Sequence, residues 1–394
     1  MNILVIASLL PVPDLIKETE YVLKLRYFYE KSHPGSRFLF IRPVSSGKYY
    51  PMRFKTTNQK SRDAAIRQGD ISFDENEILI WPYYSIGRYS FLHSIFSKSI
   101  IFQIKNRREK LRDFSPDIIH AHFLFPDGFL AKILSSIYNI PFILTMQDEC
   151  RFIQNSFAFF QSKIILEKAS ALTTLSPKME SVLKGKGYNN VQLILPGIDE
   201  SFFNQSKSLR TNQSIRFVTA ANLIKIKNIK SVIEAMALLD NRHDITYTII
   251  GDGPEKQNLL RLSETLNQTK RVRFLPSVPN SLLAPLLAQF DVYVQPSYKE
   301  SFGLSYFEAL ACGLPVILTN NTGAYQIIKK FNVYKTVNPY DIYDIADKIL
   351  NYSDFNIIDS QYLACKQAAQ FANWTTTISN LHTIYIDIIR KANE

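Results

Sequence analysis

Glu300 and Glu308 flank a glycine, Gly303, within the segment 291–319. The segment parses as strand, loop, helix and strand. Pro296 ends the first apolar run, a helix is expected from about Leu304 to Cys312, Gly313 stops it, and Pro315 prevents its continuation. A glycine at the mouth of a helix lets a ligand approach the backbone. The unpaired N–H groups there sit at the positive end of the helix dipole and suit an anion such as a diphosphate. Carboxylates accept hydrogen bonds from hydroxyls, and helix side chains lean toward the N-terminal end. Glu300 from the loop and Glu308 from the second turn can therefore face one ligand at the helix start, and a sugar offers the paired hydroxyls they fit. Taken singly, the glycine reads as a turn and the glutamate as a complement to the dipole; the combination points to a ligand.

The elements that must position these groups follow from the apolar pattern. Short near-continuous apolar runs recur at Asn2–Ala7, Arg37–Arg42, Ile78–Trp81, Asp117–Ala121, Pro141–Met146, Ala171–Ser176 and Val191–Leu195. They fit parallel strands buried on both faces, with segments of helical length between them. The alternation pauses in polar, loop-like sequence around residues 196–214, then restarts with runs at Ile215–Ala221, Ile245–Gly251, Val272–Leu275, Asp291–Gln295, Pro315–Thr319 and Tyr334–Val337. Two such runs imply two doubly wound α/β domains. Residues 1–200 form the expected first domain, 201–370 the second, and 371–394 a terminal helical segment. Ligands of such sheets bind beyond the carboxyl ends of the strands, and a cleft between two domains is the default site.

Composition narrows the class. The chain has 394 residues, 46% of them hydrophobic, with 27 Phe and 21 Tyr, enough to build two cores and to exclude a disordered chain. Three scattered cysteines, Cys150, Cys312 and Cys365, form no Cys-x-x-Cys pair, which argues against a disulfide framework or a structural zinc site. The apolar start stops at Pro11 and lacks a basic leader, so it reads as a buried strand, and no apolar run reaches the ~18–20 residues of a spanning helix. A cytoplasmic protein, or one peripheral at the inner face of a membrane, is expected. Net charge is +11, and residues 1–112 hold +9 of it, with 19 Lys/Arg against 10 Asp/Glu. That asymmetry favours an anionic partner for the first domain: a membrane surface, a nucleic acid or a phosphorylated substrate.

The string Pro-Ser-x-x-Glu-Ser-Phe-Gly-Leu-x-x-x-Glu-Ala-x-Ala-x-Gly-x-Pro-Val resembles the E-x7-E signature of the GT4 family of retaining glycosyltransferases, which have the GT-B fold. The resemblance extends over most of the chain. Residues 117–123 are similar to the family's first-domain strand, 191–202 to its domain-linking stretch and 249–255 to its Gly-Asp-Gly turn. Phe371 and Trp374 match an aromatic pair before a final helix that typically crosses back onto the first domain. The resemblance implies an α/β GT-B chain of two Rossmann-like domains facing a cleft. The first domain takes the acceptor and the second a nucleotide diphosphate sugar.

Residue by residue, the resemblance implies that Glu300 binds hydroxyls of the transferred sugar, beside Ser301 and the Phe302 backbone. Gly303 and Leu304 amides would cradle the distal phosphate, Glu308 would bind the ribose, and the stretch containing Pro276 and Val278 would border the nucleobase. Residues 221–228 match Gly-Arg-Leu-x-x-x-Lys-Gly, so Lys227 is the diphosphate-binding lysine, with Asn222 where an arginine is usual. A plainer reading of Lys225, Lys227 and Lys230 is a solvated helix start. Gln147 stands where the family often has a histidine near the reactive end of the sugar; it hydrogen-bonds but does not titrate. Leu9-Leu10-Pro11-Val12-Pro13 replaces a usual Gly-Gly, and Gln326 stands where Glu is common.

The implied reaction moves a sugar from a nucleotide diphosphate to an acceptor hydroxyl with retention. Charge and N–H donors aimed at the departing phosphate form the main catalytic term, and that phosphate takes the acceptor's proton. Lys227 and Glu300 are the catalytic candidates. No Asp-x-Asp motif is present, in keeping with a metal-independent reaction and no cofactor beyond the donor itself. Assembly of a polysaccharide, capsule, O-antigen or other glycoconjugate is the implied setting.

His120 and His122 alternate on a strand and read first as packed histidines, with an acceptor or sugar contact for His122 as the second reading. The stretch Ser90–Phe114 carries apolar residues followed by Lys105, Arg107, Arg108, Lys110 and Arg112. It fits a helix packed on the first sheet with a basic end, or a segment lying on an anionic membrane, which would favour a lipid-linked saccharide acceptor. Rival functions are a nucleotide-sugar-binding protein without turnover, another nucleotide-sugar enzyme such as an epimerase, and a nucleic-acid-binding protein. The last has no supporting zinc spacing or RNA-binding aromatic motif.

Overall fold

A computed structural model describes residues 1–10, 21–46, 64–67, 69–73, 76–84, 103–105, 107–146, 156–206, 214–239, 242 and 244–394. The apolar runs form strands β1 (Asn2–Ile6), β2 (Arg37–Ser46), β3 (Ile71–Phe73), β4 (Asn76–Tyr84), β5 (Ile118–Ala121), β6 (Phe142–Met146), β7 (Ala171–Thr174) and β8 (Val191–Leu193). They make one sheet in the order β3-β4-β2-β1-β5-β6-β7-β8, parallel throughout except for β3 against β4. The second sheet holds β9 (Ile215–Ala220), β10 (Ile245–Ile250), β11 (Val272–Leu275), β12 (Val292–Val294), β13 (Val316–Leu318) and β14 (Tyr334–Thr336). Its order is β11-β10-β9-β12-β13-β14, all parallel. Both sheets are doubly wound, with the strand order reversing between β1 and β5 and between β9 and β12.

The chain divides into a first unit of residues 1–194 and 378–394 and a second unit of residues 195–377. The first boundary lies upstream of residue 200. Ile194 still donates its N–H to Thr174 O at 2.9 Å, whereas Ile198 N–H bonds Ala372 O at 2.7 Å. The stretch read as a linker also contains the Glu200–Phe203 helix, capped by Asp199, with Phe202 fully buried in the second unit's core. The second boundary lies at Thr377, past residue 370, because Trp374 packs against Gly197. Residues beyond it belong to the first unit: Tyr29 Oη bonds His382 Nδ1 at 2.7 Å, and Tyr385 Oη bonds His120 Nδ1 at 2.6 Å. They lie on the Trp374–Asn393 helix.

Each unit buries its own core. In the first, Leu4, Ile6, Ile41, Leu79, Ile119 and Leu144 pack with the helices Arg108–Phe114, Phe129–Tyr138 and Pro177–Gly185. In the second, one face of the sheet packs Val218, Ile250, Tyr293 and Val316 against the Leu304–Ala311 and Phe355–Ala369 helices. The other face packs Phe217, Tyr247, Ile249 and Ile317 against the Ile229–Leu238 and Ile342–Leu350 helices. No described helix is long and apolar enough to cross a membrane.

Most of Ser90–Phe114 lies outside the described residues. Its described end forms the Arg108–Phe114 helix, with Leu111 and Phe114 buried. Arg107 pairs with Asp70 at 2.9 Å and donates to Ile80 O, and Lys110 pairs with Glu77, so two of the basic residues are held against the first sheet.

Candidate functional site

In the second unit, the loops after β9 and β12 meet where the strand order reverses. After β9 the chain turns through Lys225–Lys227, and Asn228 takes a left-handed conformation with φ 55°. Asn228 Nδ2 donates to Pro296 O at 3.1 Å and to Pro339 O at 2.8 Å, while its Oδ1 accepts from Ser231 Oγ at 2.7 Å. Tyr298 N–H donates to Ile226 O at 2.9 Å. These bonds tie the β9 loop to the β12 loop. Lys227 Nζ then donates to Glu300 Oε2 in a largely buried ion pair.

The helix mouth is built from below. Tyr306 Oη donates to Gln295 O at 2.6 Å, and Tyr293 Oη donates to Ala220 O and Gln295 Oε1, both at 3.0 Å. Burial raises the Tyr306 phenol, and the charge of Glu300 adds to the rise. Gly303 caps the Leu304–Ala311 helix with φ 93°. A Cβ there would lie 2.5 Å from the Tyr306 ring. The close approach at this glycine is therefore to Tyr306, a packing demand beside whatever a ligand requires. Phe302 is buried and stacks on Phe307, with centroids 4.9 Å apart, and Phe302 O accepts from Ala324 N–H at 2.7 Å. Ser301 is half-buried and Leu304 exposed at the mouth.

Glu308 lies in the second turn, half-buried. Its charge acts on the helix's inner side: the Cys312 thiol is pushed up to about 12, by burial first and by Glu308 second. Asn222 and Val278 share a cavity of about 310 Å³ with Gly251, Asp252, Ser277 and Asn280, at the carboxyl ends of β9, β10 and β11. Gly251 and Gly253 let the loop after β10 pack closely on the loop after β9. A Cβ on Gly253 would sit 2.6 Å from Leu223 O and 2.7 Å from Asn222 Oδ1. Pro276 is exposed and not among the residues lining this cavity. The site candidates thus fall into two adjoining groups, the Lys227–Glu300 pair with the helix mouth and the Asn222–Val278 cavity, joined by the chain from Asn222 to Lys227.

The first unit has its own reversal, between β1 and β5. Asp127 is fully buried there and accepts Ser8 N–H at 3.0 Å and Ser8 Oγ at 3.4 Å. His122 follows β5, is fully buried and stacks on His120 at 4.1 Å, and neither of its ring nitrogens has a partner among the described residues. Burial lowers its pKa to about 3, so it is a neutral ring. Such a side chain offers no accessible donor to a sugar, which favours the packed reading of His122 over the contact reading. His120 is likewise lowered, by burial and then by His122, and bonds Tyr385 Oη and Thr145 Oγ1. Gln147 lies outside the described residues.

Sequence reasoning missed Asn228 and Asp127. Asn228 stands where the family pattern has glycine, and asparagine is the side chain that tolerates the left-handed turn, so the substitution itself was the signal. Asp127 was signalled by Pro-Asp-Gly two turns past a strand end.

Among the described residues, no cluster of three or more His, Cys, Asp or Glu side chains is placed to hold a metal. The arrangement can neutralise a diphosphate with Lys227 and the Leu304 helix end, and accept sugar hydroxyls at Glu300.

Comparisons with known proteins agree on a class. A family model described as glycosyl transferases group 1 matches residues 201–369, and one described as glycosyltransferase family 4 matches residues 67–202. The N-acetyl-alpha-D-glucosaminyl L-malate synthase of Bacillus anthracis is 26% identical over 295 residues, covering 70% of this chain and 75% of that protein. The O-antigen biosynthesis glycosyltransferase WclY of Escherichia coli is 29% identical over 241 residues, covering 54% of this chain and 63% of that protein. Among solved structures, Anabaena Alr3699/HepE in complex with UDP-glucose superposes with a TM-score of 0.65 at 16% identity, covering 97% of this chain and 98% of that one.

Proposed function

We propose, for a chain that belongs to glycosyltransferase family 4 and has its GT-B fold of two parallel-sheet domains, that it moves a sugar from a nucleotide diphosphate sugar to an acceptor hydroxyl with retention of configuration. The observation that carries this reading is the Lys227–Glu300 pair, held beside the Gly303 helix mouth at the reversal of the second sheet. Lys227 neutralises the departing diphosphate together with the Leu304 helix end. That charge is preorganised, so little reorganisation is needed as the bond to the sugar breaks. Glu300 leaves its lysine to accept hydroxyls of the transferred sugar. The departing phosphate takes the acceptor's proton, so no protein base is assigned. The Asn222–Val278 cavity takes the nucleoside, with Glu308 on the ribose and the Pro276 turn at its rim.

A uridine diphosphate sugar is the donor class to test first, since Alr3699/HepE holds UDP-glucose. The acceptor belongs to a growing glycoconjugate, the setting printed in the name of the O-antigen relative. The deciding experiment incubates the protein with UDP- and GDP-sugars and extracted lipid-linked saccharides, with mass spectrometry of the products. Transfer with one donor, reduced at least tenfold in Glu300→Gln, supports the reading. Nucleotide binding with no transfer or hydrolysis of any donor would assign a binding protein instead, and an isomerised donor would assign an epimerase.

The basic first domain, carrying +9 of the net charge in residues 1–112, suggests an anionic membrane surface on the cytoplasmic side as its partner. Co-sedimentation with phosphatidylglycerol vesicles that is released by salt is the expected outcome. Failure to sediment at low salt would remove the membrane from this proposal and leave the transfer reaction standing.

A further inference from the structure

The second sheet carries another polar hollow, whose polar residues lie on the amino side of β9, β10 and β11. Buried parallel strands are ordinarily apolar on both faces. Here β9, β10 and β11 alternate instead. Thr246 pairs in register with Arg216, and Thr248 pairs with Arg273, so these four side chains share one face. Further along that face, Val218, Ala220 and Ile250 are packed in the core. The amino half is therefore a polar patch on a face that is apolar at its carboxyl half.

That patch lines a cavity of about 360 Å³ together with Leu286, Gln289 and Phe290. Arg216 is fixed: Asp291, whose side chain is fully buried, accepts from its Nε at 2.9 Å and its Nη2 at 3.3 Å. Arg273 is exposed and makes no ion pair or hydrogen bond among the described residues. Neither Thr246 nor Thr248 uses its hydroxyl in a hydrogen bond there, although Thr248 is only 7% exposed. Such groups beside an apolar wall match a small anion that also carries hydroxyls and an apolar ring face.

We propose that this cavity is a second ligand site, for a sugar monophosphate, separate from the donor site. Arg273 takes the phosphate, Thr246 and Thr248 bond the ring hydroxyls, and Leu275 and Phe290 meet the apolar face of the ring. The inference does not rest on the transferase reading, because its polar residues, Arg216, Thr246, Thr248 and Arg273, lie on the amino side of the strands, with only Leu275 at a carboxyl end, and its test needs no turnover.

The test is calorimetric titration of the full chain, saturated with UDP, with glucose 1-phosphate and glucose 6-phosphate. Glucose and inorganic phosphate serve as controls. One ester is expected to bind with unit stoichiometry, at least tenfold tighter than either control. Arg273→Gln, at an exposed position without a partner among the described residues, should weaken it at least tenfold, and Thr248→Val should weaken it several-fold, with UDP affinity unchanged in both. Binding of neither ester, loss of binding when UDP is present, or indifference to both substitutions would each overturn the proposal and leave a merely solvated sheet face.

Discussion

Lys227 and Glu300 hold each other: the lysine ammonium donates to the glutamate carboxylate across the reversal between β9 and β12. The two groups assigned to opposite ends of the scissile bond thus neutralise one another. Their side chains are 20% and 17% exposed, so the pair is drier than an ordinary surface ion pair and its separation matters energetically. In the proposed reaction a donor parts them, offering its diphosphate to the lysine and its hydroxyls to the glutamate. Free diphosphate supplies only the first half of that exchange.

That asymmetry gives the first prediction. Glu300→Gln keeps the shape and removes the charge that competes for Lys227. UDP should bind it as well as the wild type or a few-fold tighter, while transfer falls by at least tenfold. Lys227→Ala should lose both, with turnover down by about 10²–10³, the usual effect of removing one preorganised donor to a developing anion. Calorimetry with UDP and a transfer assay separate the two variants. Equal loss of UDP affinity in both would show that the exchange between partners is wrong.

The second prediction concerns the helix mouth. Gly303 has φ 93°, and an added Cβ would meet the Tyr306 ring at 2.5 Å. Gly303→Ala combines left-handed strain of about 1–2 kcal/mol with this overlap. The second unit should lose at least that much stability in urea unfolding, and UDP affinity should fall more than tenfold as the Leu304 amide shifts. Unchanged stability would mean that Tyr306 gives way freely.

Asn228 supplies the third. Its amide makes three hydrogen bonds, two that join the β9 turn to Pro296 and Pro339 and one from Ser231, and its backbone is left-handed. Asn228→Gly keeps the backbone freedom and drops the bonds; Asn228→Ala drops the bonds and adds strain. With a net worth of about 1 kcal/mol per bond, the glycine variant should lose about 2–3 kcal/mol and the alanine variant about 1 kcal/mol more. Denaturant midpoints give the order. If glycine is the worse of the two, the left-handed turn is not what selects asparagine.

Asn228 also marks how far the sequence can be read. The buried strands were legible because parallel strands covered on both faces leave continuous apolar runs, and each of the thirteen expected runs coincides with a strand of the final sheets. β3 was not, because an edge strand of three residues, Ile71–Phe73, leaves too short a pattern. The Glu200–Phe203 helix was hidden by its polar surroundings; only the buried Phe202 betrays it. At the site, spacing alone put Glu300, Gly303 and Glu308 on one loop and helix, since those residues are near neighbours in the chain. The meeting of Lys227 with Glu300 joins loops far apart in sequence, so it depends on β9 and β12 being adjacent. The alternating β9, β10 and β11 carried a further message: alternation in a parallel sheet signals a wet face.

The last prediction concerns pH and the buried histidines of the first unit. His122 is lowered to about 3, by burial, and His120 is lowered by burial and then by His122. Both folded-state values lie below the ordinary value of 6.5, so below that pH the unfolded chain binds more protons than the folded one. Stability is fully present above about pH 6.5 and drains away as pH falls toward 3, by up to about 1.4 kcal/mol per unit for each histidine. Trp81 lies in the first unit and Trp374 in the second, so Trp81 fluorescence in a Trp374→Phe background reports the first unit alone. Urea unfolding followed this way between pH 7 and 4 should show the decline. His122→Phe, which removes two nitrogens that have no partner among the described residues, should reduce the slope by the share of one histidine. A slope unaffected by His122→Phe would mean that His122 titrates alike in the folded and unfolded protein and so meets water or an acidic partner, which would return it to the list of ligand contacts.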